Sequence, residues 1–99
     1  MIDWKNVRGF DWDEGNARKN ETKHSVSQSE AEQVFFNEPL IIREDTKHSI
    51  RESRFHALGR TNESRLLHLT FTLRQDGTQI RIISARNMSR KERTFYEQT

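Results

Sequence analysis

In "RESRFHALGR" the residues Glu52, Arg54 and His56 alternate with Phe55 and Ala57, and in "SRLLHLTFTLR" His68, Thr70 and Thr72 alternate with Leu69, Phe71 and Leu73. "TQIRIISAR" repeats the pattern, with Arg81 between Ile80 and Ile82 and Arg86 at its end. A period of two predicts strands with one apolar face and one face carrying a carboxylate, imidazoles, guanidinium groups and hydroxyls. Carboxylates and imidazoles transfer protons, and guanidinium forks hold phosphate oxygens. Such a set could move a proton at an anionic centre. The plainer alternative is a solvated sheet face that is simply polar.

Those side chains meet only if the strands pair in register. Asp76-Gly77 predicts a two-residue hairpin turn with both φ angles positive, setting Leu73 opposite Ile80, Phe71 opposite Ile82 and Leu69 opposite Ser84 on the core face, with Thr72 facing Arg81 behind. Phe55 and Ala57 join that core face if the loop around Thr61 to Glu63 has an odd number of residues, and Gly59 is placed to permit a bulge. A three-residue loop then gives polar rows of Glu52, Thr72 and Arg81, of Arg54 and Thr70, and of His56 and His68. "PLIIRED" predicts one more strand ahead of these three.

Three capping boxes frame the sheet: "DWDE" at Asp11 to Glu14, "SQSE" at Ser27 to Glu30 and "SRKE" at Ser89 to Glu92. They predict a polar helix from Asp11 to about His24, and a short one from Ser27 to about Phe36 with Ala31, Val34 and Phe35 turned inward. Pro39 stops the second. The third closes the chain, with Phe95 and Met88 packing on the sheet and Arg90, Arg93 and Tyr96 on one outward stripe. The expected architecture is α+β: N-terminal helices, an antiparallel meander sheet and a C-terminal helix, forming one domain over residues 1–99 with the helices on one sheet.

Charge is distributed unevenly. Residues 1–50 hold seven Lys and Arg against ten Asp and Glu, a balance of −3, whereas residues 51–99 hold ten against five, a balance of +5, and nine of those ten bases are arginine. A phosphate-bearing partner such as a nucleic acid fits the second half. Only 31% of the residues are hydrophobic and 32% are charged, which predicts a thin core and room for a protein partner. There is no cysteine, and no apolar run near the roughly 20 residues that span a bilayer. Neither a signal-peptide pattern nor a zinc, phosphate-loop or nucleophile-elbow motif is present, so a cytoplasmic protein without membrane contact is expected. Asp11, Asp13 and Glu14 are better explained by helix capping than by a metal. His24 suits a helix C-terminus, where the dipole favours a cation, and His48 lies in a polar stretch.

The blocks "GFDWDEGNARKNETKHSVSQSEAEQVFFNEP", "RESRFHALGR" and "LTFTLRQDGTQIRIISARNMSRKERTFYE", in this order, resemble the BrnT family of bacterial toxins. "RIISAR" followed by a basic helix with a late tyrosine carries the resemblance most specifically, supported by "FDWD" and "KHSV". The resemblance implies a RelE-like fold and a ribonuclease toxin that halts translation. It also implies a BrnA-like antitoxin with a ribbon-helix-helix domain, through which alone operator DNA would be contacted. Cleavage of RNA without metal or cofactor requires a base for the 2′-hydroxyl, positive charge on the phosphate and an acid for the leaving oxygen. On this reading Arg81 and Arg86 stabilise the phosphate, assisted by Arg54 and Arg90. Glu52 is the candidate base, or else orients the arginines, and His56, His68 or Tyr96 is the candidate acid. Lys23, His24, His56, Arg90 and Arg93 are the candidate RNA contacts. The alternative of another class is a non-catalytic module that binds RNA or ribosome, or a co-repressor acting with a DNA-binding antitoxin.

Overall fold

The computed structural model describes residues 2–12, 24–48 and 52–99. Its strands are β1 (Gly9–Phe10), β2 (Ile41–Asp45), β3 (Arg54–Arg60), β4 (Leu66–Arg74) and β5 (Gln79–Asn87), arranged in the order β1-β5-β4-β3-β2. β2 to β5 form the expected antiparallel meander. β1 corrects the purely antiparallel expectation, because its two residues run parallel to β5 and make the sheet mixed.

Helix α1 (Gln28–Gln33) starts on a complete capping box, in which Ser27 Oγ accepts from the Glu30 N–H and Glu30 accepts from the Ser27 N–H, both at 3.1 Å. A single 3₁₀ turn, Val34–Phe36, continues it. Helix α2 (Arg90–Glu97) opens on a second box built from Ser89 and Glu92. The predicted first helix and its box at Asp11 to Glu14 lie outside the described residues, apart from Asp11, Trp12 and His24. Trp12 ties the N-terminal segment to α1 by donating its indole N–H to Glu32 at 2.7 Å. Among the described residues, no helix is long and apolar enough to cross a membrane.

Alternation along β3, β4 and β5 puts Phe55, Ala57, Leu67, Leu69, Phe71, Ile80, Ile82 and Ala85 on one face, where they pack with Val26, Ala31 and Val34. Each large apolar side chain buried there contributes about 1.5–3 kcal/mol. Phe71 is central, with Phe35 edge-on at 5.1 Å and Phe55 stacked at 5.4 Å between ring centroids. Gly59 serves close packing and not a bulge: a Cβ there would lie 2.5 Å from Val34 Cγ1.

Two register expectations are corrected. The β3–β4 loop spans five residues, Thr61 to Arg65, closed by the Thr61 N–H to the Arg65 carbonyl at 2.9 Å and by the Arg65 N–H to Thr61 Oγ1 at 3.0 Å. An odd count keeps the faces as expected, but two extra residues slide the rows, so Arg54 opposes Thr72, His56 opposes Thr70 and Leu58 opposes His68. The bulge lies instead in β5, where Phe71 pairs with Ile82 but Thr70 pairs with Ser84, leaving Ile83 extra. Ala85, rather than Ser84, therefore enters the core opposite Leu69, and Arg86 comes opposite His68. The β4–β5 register at Leu73 and Ile80 is as expected, although the turn holds Gln75, Asp76 and Gly77 all at positive φ.

The layering is also corrected. Met88 and Tyr96 are buried outside the main core, and Glu92 of α2 reaches His68 and Arg86 on the opposite sheet face, so α1 and α2 cover different faces. Tyr96 lies one turn beyond Glu92 on the inward stripe of α2. It, and not Phe95, packs inward: its hydroxyl donates to the Pro39 carbonyl at 2.6 Å, while Phe95 is 47% exposed.

Candidate active site

The face of the sheet away from the core carries three polar rows. One is Asp45, Arg54, Thr72 and Arg81; the next is Arg43, His56, Thr70 and Ser84; the third is Ile41, Leu58, His68 and Arg86. Neighbouring strands about 4.8 Å apart bring these side chains within reach of one another.

His56 is held at both ring nitrogens. Nε2 lies 2.9 Å from Asp45 Oδ2 and Nδ1 lies 3.1 Å from Thr70 Oγ1. Asp45, 13% exposed at its side chain, accepts from Nε2–H, which leaves Nδ1 to accept from the threonine hydroxyl in the neutral ring. The His68 ring stands beside it, 5.0 Å between centroids and tilted by 40°. Burial pushes the pKa of His68 below its ordinary 6.5, and the nearby Arg86 cation adds to the shift, so the ring is neutral at pH 7. Its buried Nδ1 has no hydrogen-bond partner among the described residues, and Nε2 is 3.9 Å from Glu92 Oε2.

Glu92 does three things at once. Its carboxylate accepts a fork from Arg86, Nη1 at 2.8 Å and Nη2 at 3.0 Å, while Oε1 also accepts from the Ser89 N–H at 2.8 Å to cap α2. The Arg86 bonds hold the Glu92 carboxyl down at about 2, and in return the guanidinium pKa is raised. Ile41, Arg43, His56, Leu58, His68 and Glu92 line a surface cavity of about 220 Å³ in front of the two rings.

The structure thus brings together His56, His68 and Arg86, with Arg54 one row away. Arg81 shares the Arg54 row, two strands across, and meets Asp11 at 3.7 Å. Glu52 precedes β3 beyond the Arg54 row and pairs with Arg74 at 3.3 Å. Tyr96 points its hydroxyl into the fold, which corrects its place on the outward stripe, whereas Arg90 and Arg93 are exposed on α2. Arg65 donates to the His24 carbonyl, and Lys23 lies outside the described residues. Among the described residues, no three His, Asp or Glu side chains are grouped to hold a metal ion.

Sequence reasoning missed Asp45, Arg43 and the second role of Glu92. Asp45 and Arg43 were legible as alternate positions of "IIRED". Glu92 read as a cap, and only the bulge at Ile83 brings Arg86 to it.

Chemically, the arrangement offers one imidazole that is neutral and another anchored on a carboxylate, beside guanidinium groups. Groups of these kinds can donate and accept protons beside a bound anion. A family model described as ribonuclease toxin, BrnT, of type II toxin-antitoxin systems matches residues 12–92. The fold is similar to that of the Brucella abortus ribonuclease toxin BrnT in its crystal structure, with a TM-score of 0.60 and 19% identity over 85% of this chain and 100% of that one. No curated protein matches the chain. Because the family model covers most of its length, the chain belongs to the BrnT family of ribonuclease toxins of type II toxin-antitoxin systems.

Proposed function

We propose that the protein is a metal-independent, RelE-like endoribonuclease that acts in the cytoplasm and inhibits translation. A BrnA-like ribbon-helix-helix antitoxin neutralises it and alone carries the pair to operator DNA. The observation that supports the catalytic reading best is the pair of imidazoles, 5.0 Å between ring centroids, on the sheet face that α2 flanks, beside Arg86.

In this mechanism His68, neutral at physiological pH, takes the proton of the RNA 2′-hydroxyl. The freed oxygen attacks the adjacent phosphorus. The bond to the 5′-oxygen breaks, and that oxygen leaves with the Nδ1 proton of the His56 imidazolium, whose Nε2–H Asp45 holds in place. The products are a 2′,3′-cyclic phosphate and a 5′-hydroxyl. Arg86 and Arg54 stabilise the charge gathered on the phosphate, with Arg81 and Arg90 reaching in from either side. Glu52 serves as the counter-ion of Arg74 rather than as base. Arg93, Lys23 and His24 extend the contacts along the RNA backbone.

The test uses end-labelled RNA, antitoxin-free protein and EDTA. Cleavage should persist in EDTA, fall on the order of 10²-fold or more in each of His56→Ala and His68→Ala, and vanish when the nucleotide at the cut site lacks its 2′-hydroxyl. Cleavage abolished by EDTA, or unchanged in both variants, overturns the mechanism. No cleavage of free RNA or on translating ribosomes would put a binding module or co-repressor in its place.

A further inference from the structure

We propose that the cavity walled by Ile41, Leu58, His56, His68 and Glu92 is a subsite for one unpaired nucleobase of single-stranded RNA, and that Arg43, which also lines it, and the Phe95 ring beneath Arg43 are a platform for the next base. The proposal rests on the ribonuclease reading of the same face and adds to it what the enzyme selects.

Ile41 and Leu58 are cross-strand partners on the face opposite the main core, in a stretch that also carries Arg43, His56 and His68. Neither belongs to the main core cluster. Together with the imidazole rings they make a slot of about 220 Å³ whose exposed lining is mostly apolar, with Arg43 and Glu92 supplying charge, which suits a flat heterocycle with apolar faces and a polar edge. Of the two Glu92 oxygens, Oε1 accepts from both Arg86 and Ser89, whereas among the described residues Oε2 accepts from Arg86, with His68 Nε2 3.9 Å away. One lone pair on Oε2 is therefore available to an N–H on a base edge.

Arg43, which lines the slot, connects it to a second feature. Phe95 is 47% exposed, a poor place for a large aromatic ring, and the Arg43 guanidinium sits 5.8 Å from its centroid. An exposed ring with an arginine beside it is the kind of surface on which unpaired bases stack. A base already paired in a duplex has its edge occupied and its faces stacked, so it cannot enter.

The experiment adds the four nucleoside 3′-monophosphates, one at a time, to antitoxin-free protein followed by amide NMR. Kinetics of Leu58→Trp, which fills the slot, and Phe95→Ala, which removes an exposed ring, are measured on a single-stranded oligonucleotide. Shifts should centre on Ile41, Leu58 and Phe95 and should not be reproduced by inorganic phosphate. Each variant should lose about tenfold or more in kcat/KM, the scale of one lost stacking contact, and annealing the substrate to its complement should protect it. Shifts elsewhere, or equal to those caused by phosphate alone, overturn the subsite, as does wild-type kcat/KM in both variants. Nucleotide shifts in the slot of a protein that cleaves nothing would uphold the subsite and sink the ribonuclease mechanism. Cleavage without such shifts would do the reverse.

Discussion

Protonating His68 is costly to the fold because its ring is mostly buried and Arg86 stands close. The folded pKa lies below 6.5, so as pH falls the unfolded chain takes up the proton first. Stability is therefore full above 6.5 and is lost as pH drops through the window beneath it. Glu92 acts in the same direction lower down: its support, discounted for screening to about 1–2 kcal/mol, is present above the ordinary 4.5 and lost towards 2. Urea unfolding at pH 7.5 and pH 5.5 should show a larger loss in the wild type than in His68→Gln; equal losses would remove His68 as the source. At this scale the residue types were legible and their partners were not. His56 and His68 announce acid–base chemistry by identity alone, whereas pairing with Asp45 or Glu92 depends on strands and a helix far apart in the chain.

Among the elements, the Val34–Phe36 turn is seated on β3 so closely that Gly59 has no room for a Cβ. Gly59→Ala should destabilise by about 1–3 kcal/mol through the Cβ clash with Val34, and Val34→Ala should recover part of that loss in a double-mutant cycle of denaturation midpoints. Full additivity of the two losses would place the strain elsewhere. Tyr96→Phe deletes the bond to Pro39 and should cost about 0.5–1.5 kcal/mol while leaving the cleavage rate unchanged. A rate drop of about a hundredfold without loss of fold would return Tyr96 to the catalytic acid role. Strands β2 to β5 could be read from their period, and α1 and α2 from their capping boxes. Their register could not, because it turns on a five-residue loop where three fitted equally well, and on the bulge at Ile83, which two adjacent isoleucines conceal. β1 has only two residues, too few for any period to show.

Across the whole molecule, the two halves of opposite charge meet each other before they meet RNA. Arg65 pairs with Glu30 and Arg81 with Asp11 across the halves, and Arg74 with Glu52 and Arg86 with Glu92 within the second. The basic field is accordingly weaker than the charge count suggests, and phosphate must compete with carboxylates for several arginines. RNA affinity should still fall with salt, at about −0.7 in log–log slope for each phosphate contacted, measured by filter binding between low and high ionic strength. A flat response would exclude this face as the contact surface. The sequence foretold the sign of the second half, but not that much of its charge is already engaged.

Glu92 carries a genetic consequence. It starts the last helix, grips Arg86 and floors the cavity, so a chain ending just before Arg90 would keep every strand of the sheet yet lose the wall in front of both imidazoles. Cells escaping such a toxin could do so through a stop codon just ahead of Arg90, downstream of every strand of the sheet.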